Sequence, residues 1–109
     1  MINYTTPSLT LVVDNIDISA YDIYATLEQG LYKLTKTGDE LTVNTETVGE
    51  KTNTVITMTL TQEESAKFFY DKPVNAQVNW LVDGSRFATD IKQIPVMRNL
   101  LNRVIEVEE

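Results

Sequence analysis

Apolar and polar residues alternate through much of this chain, and the alternation predicts strands. Ser8 to Val13 places Leu9, Leu11 and Val13 on one face. Asp22 to Gln29 places Ile23, Ala25 and Leu27 on one face, with Tyr24, Thr26 and Glu28 opposite. A weaker strand runs from Leu31 to Thr37, turns at Thr37-Gly38-Asp39 and continues as Leu41 to Thr45. The most informative stretch is Thr54 to Ile91. Thr54 to Leu60 alternates, Val74 to Trp80 alternates again, and Asp83-Gly84 folds the chain back into Arg86 to Ile91. Between the first two of these strands, Thr61-Gln62-Glu63-Glu64 carries the Thr-x-x-Glu spacing of a capping box, which predicts a short helical hook around residues 61–69. Short strands at this spacing, rich in Thr, Val and Ile, predict an all-β fold, an immunoglobulin-like antiparallel β-sandwich. The threonines read as a solvated sheet face, because a branched carbon suits the pleat while the hydroxyl keeps water.

The Asp83-Gly84 pair allows a register to be predicted. In a two-residue turn both residues take positive φ, and Trp80 then faces Phe87, Val78 faces Thr89 and Ala76 faces Ile91. A three-residue loop would set Val78 against Asp90 and turn an acid toward the core, since a slip of one residue inverts the whole face. Trp80 is accordingly expected in the core.

Two segments fit a self-contained sandwich less well. In the tail, Met97, Leu100, Leu101, Val104 and Ile105 recur at i, i+3, i+4, i+7 and i+8, the spacing of one face of a short C-terminal helix. That stripe either closes the chain's own domain, with Val104 to Val107 as an edge strand, or docks on a partner and leaves Glu106, Glu108 and Glu109 in water. The chain thus divides into a sandwich domain, residues 1–96, and an amphipathic tail, residues 97–109, with the five apolar residues as candidate partner-binding positions. The polar run Thr45 to Asn53, centred on Gly49, reads as a loop longer than a tight hairpin needs. The five tyrosines, spread over separate segments, offer stacking surfaces for sugars if they converge.

Composition narrows the chemistry. The 109 residues suit one domain, and 42% hydrophobic content is enough for a core. There is no histidine and no cysteine, which removes the usual general bases, soft nucleophiles and zinc ligands. The acids of the hook are explained by capping, and the Asp14-Asn15-Ile16-Asp17 loop lacks the glycine and closing glutamate of a calcium loop. No phosphate-binding loop, nucleophile elbow or dinucleotide fingerprint is present. The expectation is therefore no enzyme, no metal and no cofactor. Sixteen acids against nine scattered bases, a net charge of −7, argue against a nucleic-acid partner. No apolar run is long enough for a membrane helix, and the first residues do not have the pattern of a signal peptide, so the cytoplasm is the expected site of synthesis.

The whole layout resembles a family. Pro7-Ser8-Leu9-Thr10-Leu11 is followed by Asp22-Ile23-Tyr24-Ala25-Thr26-Leu27-Glu28-Gln29 and by Leu41-Thr42-Val43. Then come Met58-Thr59-Leu60-Thr61-Gln62-Glu63-Glu64, Val78-Asn79-Trp80-Leu81-Val82-Asp83-Gly84 and Ala88-Thr89-Asp90-Ile91. This pattern, up to about Val96, resembles small β-sandwich structural proteins of phages and prophages of Gram-positive bacteria, and is similar to the N-terminal domain of phage baseplate upper proteins. The resemblance implies a non-catalytic tail, baseplate, neck or capsid accessory protein that assembles with other phage structural proteins and as a homo-oligomer, in the host cytoplasm and the virion. A carbohydrate- or host-surface-binding module is the alternative.

Overall fold

The alternating segments form two antiparallel sheets in the computed structural model, which describes residues 1–106. β1 (Ser8–Val13) and β4 (Leu41–Val48) flank β5 (Lys51–Thr59) in one sheet. In the other, the order is β3 (Tyr32–Thr37), β2 (Ile23–Gln29), β6 (Val74–Val82) and β7 (Ser85–Ala88), with β8 (Lys92–Ile94) continuing along β6 beyond β7. A single turn of helix, α1 (Gln62–Ala66), carries the chain from β5 in the first sheet to β6 in the second. The two sheets pack face to face, as an all-β sandwich requires. Leu11, Val13, Ile56 and Met58 from the first sheet share one buried cluster with Ala25, Leu27, Val78 and Trp80 from the second. These are the residues on the apolar side of each alternation, so the strand faces follow directly from the period of two.

The β6–β7 hairpin has the expected register near its turn. Asp83 and Gly84 both have positive φ, 50° and 83°, and Trp80 stands opposite Phe87. The two rings stack with centroids 6.0 Å apart and an interplanar angle of 20°. Further along, the register changes. Thr89 still faces Val78, but through its side chain: its Oγ1 accepts the Val78 N–H at 3.1 Å while its own N–H donates to the Val78 carbonyl at 2.9 Å. Beyond it, Ala76 pairs with Lys92 rather than with Ile91 as expected from the sequence. One extra residue has entered the β7–β8 side, a β-bulge, and it turns Ile91 out into solvent.

Two further expectations are corrected. Thr45 to Asn53 is not a loop: β4 and β5 run through it, pairing Thr45 with Thr54 and continuing to Val48 opposite Lys51. The turn is Gly49-Glu50, with Gly49 at φ 64°. Both faces of this ribbon are largely solvated, so it shows no apolar alternation for a sequence reading to detect. Thr54, read as part of a solvated face, is fully buried. Its hydroxyl accepts the Ile18 N–H at 2.9 Å and donates to the Ile16 carbonyl at 2.8 Å, which pins the first loop and buries Ile18.

The contrast between Trp80 and Ile91 is testable. Trp80→Ala is expected to cost about 3–5 kcal/mol in urea unfolding, because a 7%-exposed ring leaves a cavity between the sheets. Ile91→Ala should change stability by less than about 0.5 kcal/mol, as expected for a surface site.

Candidate functional site

Met97, Leu100, Leu101, Val104 and Ile105 form no helix. The reason lies in their backbone partners. The Met97 N–H donates to the Met1 carbonyl at 2.6 Å and its carbonyl accepts the Asn3 N–H at 3.1 Å, a parallel bridge between Ile2 and Met97. The Asn99 N–H then donates to Asn3 Oδ1 at 2.9 Å, and the Leu101 N–H to Asn99 Oδ1 at 3.1 Å. The first rung of a helix starting at Met97 would join the Leu101 N–H to the Met97 carbonyl, and both are committed elsewhere, so the i to i−4 ladder does not start. Val104 to Glu106 form no strand either, and Val107, Glu108 and Glu109 lie outside the described residues.

The tail follows the body of the molecule as an irregular ribbon held by polar groups. Asn99 Nδ2 donates to the Asn3 carbonyl at 3.1 Å. Further on, the Gln62 amide mimics a strand partner: its Nε2 donates to the Ile105 carbonyl at 2.9 Å and its Oε1 accepts the Ile105 N–H at 2.8 Å. All five apolar tail side chains remain exposed, Leu100 at 87%. Val104 and Ile105 instead line a shallow depression of about 480 Å³ with Leu60, Gln62 and Glu63.

α1 is what presents Gln62. Thr61 Oγ1 accepts the Glu64 N–H at 3.1 Å, and Glu64 Oε1 accepts the Thr61 N–H at 2.9 Å, so the capping box expected from the sequence is formed. The same oxygen lies 3.0 Å from Lys36 Nζ on β3, a pairing with no local sequence signal. Burial raises the Glu64 pKa, but the Thr61 N–H and the Lys36 ammonium outweigh it, and the carboxyl ends below its ordinary value. Nearby, burial and then the Glu64 charge push the Tyr32 hydroxyl up. Asp17 is lowered by its bonds from the Ser19 hydroxyl and N–H, so its carboxylate serves a local turn.

A second clamp holds the segment after α1. Gln29, buried at the end of β2, donates from Nε2 to the carbonyls of Phe69 and Lys72 at 2.9 and 2.8 Å and accepts the Phe69 N–H at 2.6 Å. Phe68 thereby enters the core edge-on to Tyr32, with centroids 5.0 Å apart, while Phe69 and Tyr70 are exposed. Sequence reasoning missed this cluster, since a glutamine closing a strand carries no pattern of its own. The tyrosines are put to different uses: Tyr32 packs on Phe68, whereas Tyr24 lies on the outer face of its sheet.

No protein-family model matches the sequence, and neither does any curated protein. The residues themselves therefore carry the functional argument. Among the described residues no three acidic side chains gather in a metal-binding group, and no helix is long and apolar enough to cross a membrane.

The Glu64–Lys36 contact sets a pH dependence. Because the folded carboxyl titrates below its unfolded value, its stabilisation is present at neutral pH and is lost as pH falls through the acidic range below about 4.3. Glu64→Gln keeps a cap acceptor but loses the ion pair, and should cost roughly 1–2 kcal/mol at pH 7 after allowance for partial exposure. In urea titrations the gap to the wild type should shrink at pH 3; a gap of equal size at both pH values would show that the charge is not involved.

Proposed function

We propose that this protein is a non-enzymatic structural component of phage or prophage origin that works through protein–protein assembly. One observation carries the reading: the tail is tied down by polar clamps while its apolar side chains are left in water. A tail that served only to close its own core would bury Leu100, Leu101, Val104 and Ile105; here hydrogen bonds set its path and all four side chains stay exposed. Large apolar side chains left exposed along one segment mark a surface suited to being covered by another. Fixing the backbone beforehand lowers the ordering cost of association, so the clamps favour docking as well as fold.

The immunoglobulin-like sandwich and its hook supply the support for this surface, and their likeness to phage β-sandwich proteins supplies the class of partner. Those partners are other structural proteins of the particle and further copies of this chain, met first in the host cytoplasm and then in the virion. Phe69, Tyr70 and Leu31 add further exposed apolar side chains.

Combined replacement of Leu100, Leu101, Val104 and Ile105 by serine tests the reading. Size-exclusion chromatography with light scattering should show a defined oligomer for the wild type and a monomer for the variant, with an unchanged melting temperature. A variant that unfolds instead would make the segment part of the core. A wild type that stays monomeric when concentrated would remove self-association from the proposal.

A further inference from the structure

The outer face of the β3-β2-β6-β7 sheet has a chemistry unlike that of the tail. Alternate positions of β6 place three amides, Asn75, Gln77 and Asn79, in a row on the side away from the core. Residues two apart on a strand lie about 6.8 Å apart, and neighbouring strands about 4.8 Å. Across the ladder, Gln77 stands opposite Thr26 and Asn79 opposite Tyr24, while Thr26 stands opposite Thr35. On β7 the residue opposite Asn79 is only an alanine, Ala88. Short side chains thus lie between the taller Tyr24, Leu81 and Arg86, and the result is two depressions of about 330 and 310 Å³. Both are lined by Thr26, Thr35, Asn79 and Arg86, so they form one trough across the strands.

The polar groups of the trough are held in place yet keep unused bonding capacity. Arg86 Nε donates to Asn79 Oδ1 at 3.1 Å, which orients both side chains and leaves the Asn79 NH₂ and the terminal guanidinium nitrogens available. Gln77 Nε2 donates to the Thr89 carbonyl at the bulge at 2.9 Å, which leaves its Oε1 as an acceptor. The Thr26 and Thr35 hydroxyls bond to each other at 3.0 Å, so one of them still has a proton to donate. The surface offers donors and acceptors side by side, and the half-exposed ring of Tyr24 lies at one end.

Charge selects the class of ligand. Glu28 and Lys33 at the rim pair with each other at 3.3 Å, which leaves Arg86 as the unpaired charge of the trough among the described residues. One cation is too few for a phosphate backbone, whose affinity rests on several neutralised phosphates. Nor does the amide row offer the apolar pockets that anchor a peptide. Adjacent hydroxyls of a sugar both donate and accept, and its C–H face stacks on an aromatic ring. We propose that this trough binds a neutral carbohydrate chain, with Asn79 and Arg86 as central contacts, Asn75 and Gln77 extending the site along β6, and Tyr24 as the stacking ring.

The test is titration of the isotope-labelled full chain with tetrasaccharides of glucose, galactose and N-acetylglucosamine, followed by NMR. At least one probe should give saturable shifts, at millimolar affinity or better, in the side-chain NH₂ signals of Asn75, Gln77 and Asn79. Asn79→Ala and Arg86→Lys should each weaken that binding about tenfold, equivalent to about 1.4 kcal/mol, with melting temperature unchanged. Thr47→Ala, on the β4–β5 ribbon, should leave it intact. Arg86→Lys retains the charge but loses the Nε bond to Asn79, so undiminished binding in that variant would show that the Arg86–Asn79 pair does not contact the sugar and overturn the proposal. The absence of saturable shifts with all three probes, or shifts that map to the tail instead, would overturn it as well.

Discussion

A helix of five residues is far too short to hold itself together, yet α1 is the piece by which this chain passes from one sheet to the other. Its persistence rests on Glu64. That carboxylate closes the capping box with Thr61 and reaches Lys36 on β3 with the same oxygen, so it fastens the helix start to the edge of the second sheet. The buried Ser65 hydroxyl adds a bond to the Thr5 carbonyl at 2.6 Å, and Phe68 fills the core directly after the helix. Gln62 at the helix start takes its position from that anchorage, while Phe69 beyond its end is held by Gln29.

Side-chain amides recur as the means of holding irregular backbone. Gln62 takes both polar groups of Ile105, and Gln29 takes both polar groups of Phe69. Asn99 donates two bonds to Asn3, one from its N–H to Asn3 Oδ1 and one from Nδ2 to the Asn3 carbonyl. Each clamp satisfies backbone groups that no strand is available to pair, and it does so without needing to bury the neighbouring side chains. The tail and the Phe69–Tyr70 segment are therefore ordered and apolar on the outside together. Apolar closure alone would order a segment only by hiding those side chains.

The outer face of the larger sheet follows a different logic. Its order comes from ladder pairing, and the β-bulge separates a region where β6 is covered by β7 from one where it is covered by β8. At the bulge the Thr89 hydroxyl takes the place of a backbone acceptor for Val78, and the Thr89 carbonyl is free to receive Gln77. The same local defect that turns Ile91 outward thus helps to orient the amide row. The assembly proposed for the tail and the recognition proposed for the sheet face use separate residues, so the two proposals do not compete for the same surface.

What the sequence determined by itself is local. The period of two assigns β1, β2, β5 and β6 and their buried faces, Thr61 and Glu64 mark the start of α1, and Asp83-Gly84 fixes the turn and the pairing of Trp80 with Phe87. Each signal lies within a few residues of its consequence. The tail shows the limit: its apolar spacing is helical, but its backbone donors are claimed by the chain start, with Asn3 and Asn99 separated by 96 positions. The Glu64–Lys36 pair and the burial of Thr54 under the first loop are likewise products of segments far apart in sequence meeting. Side-chain periodicity tells which face of a segment is apolar. Only the tertiary structure decides which partner takes its backbone hydrogen bonds, and for the tail that choice determined whether the apolar face was covered or left in water.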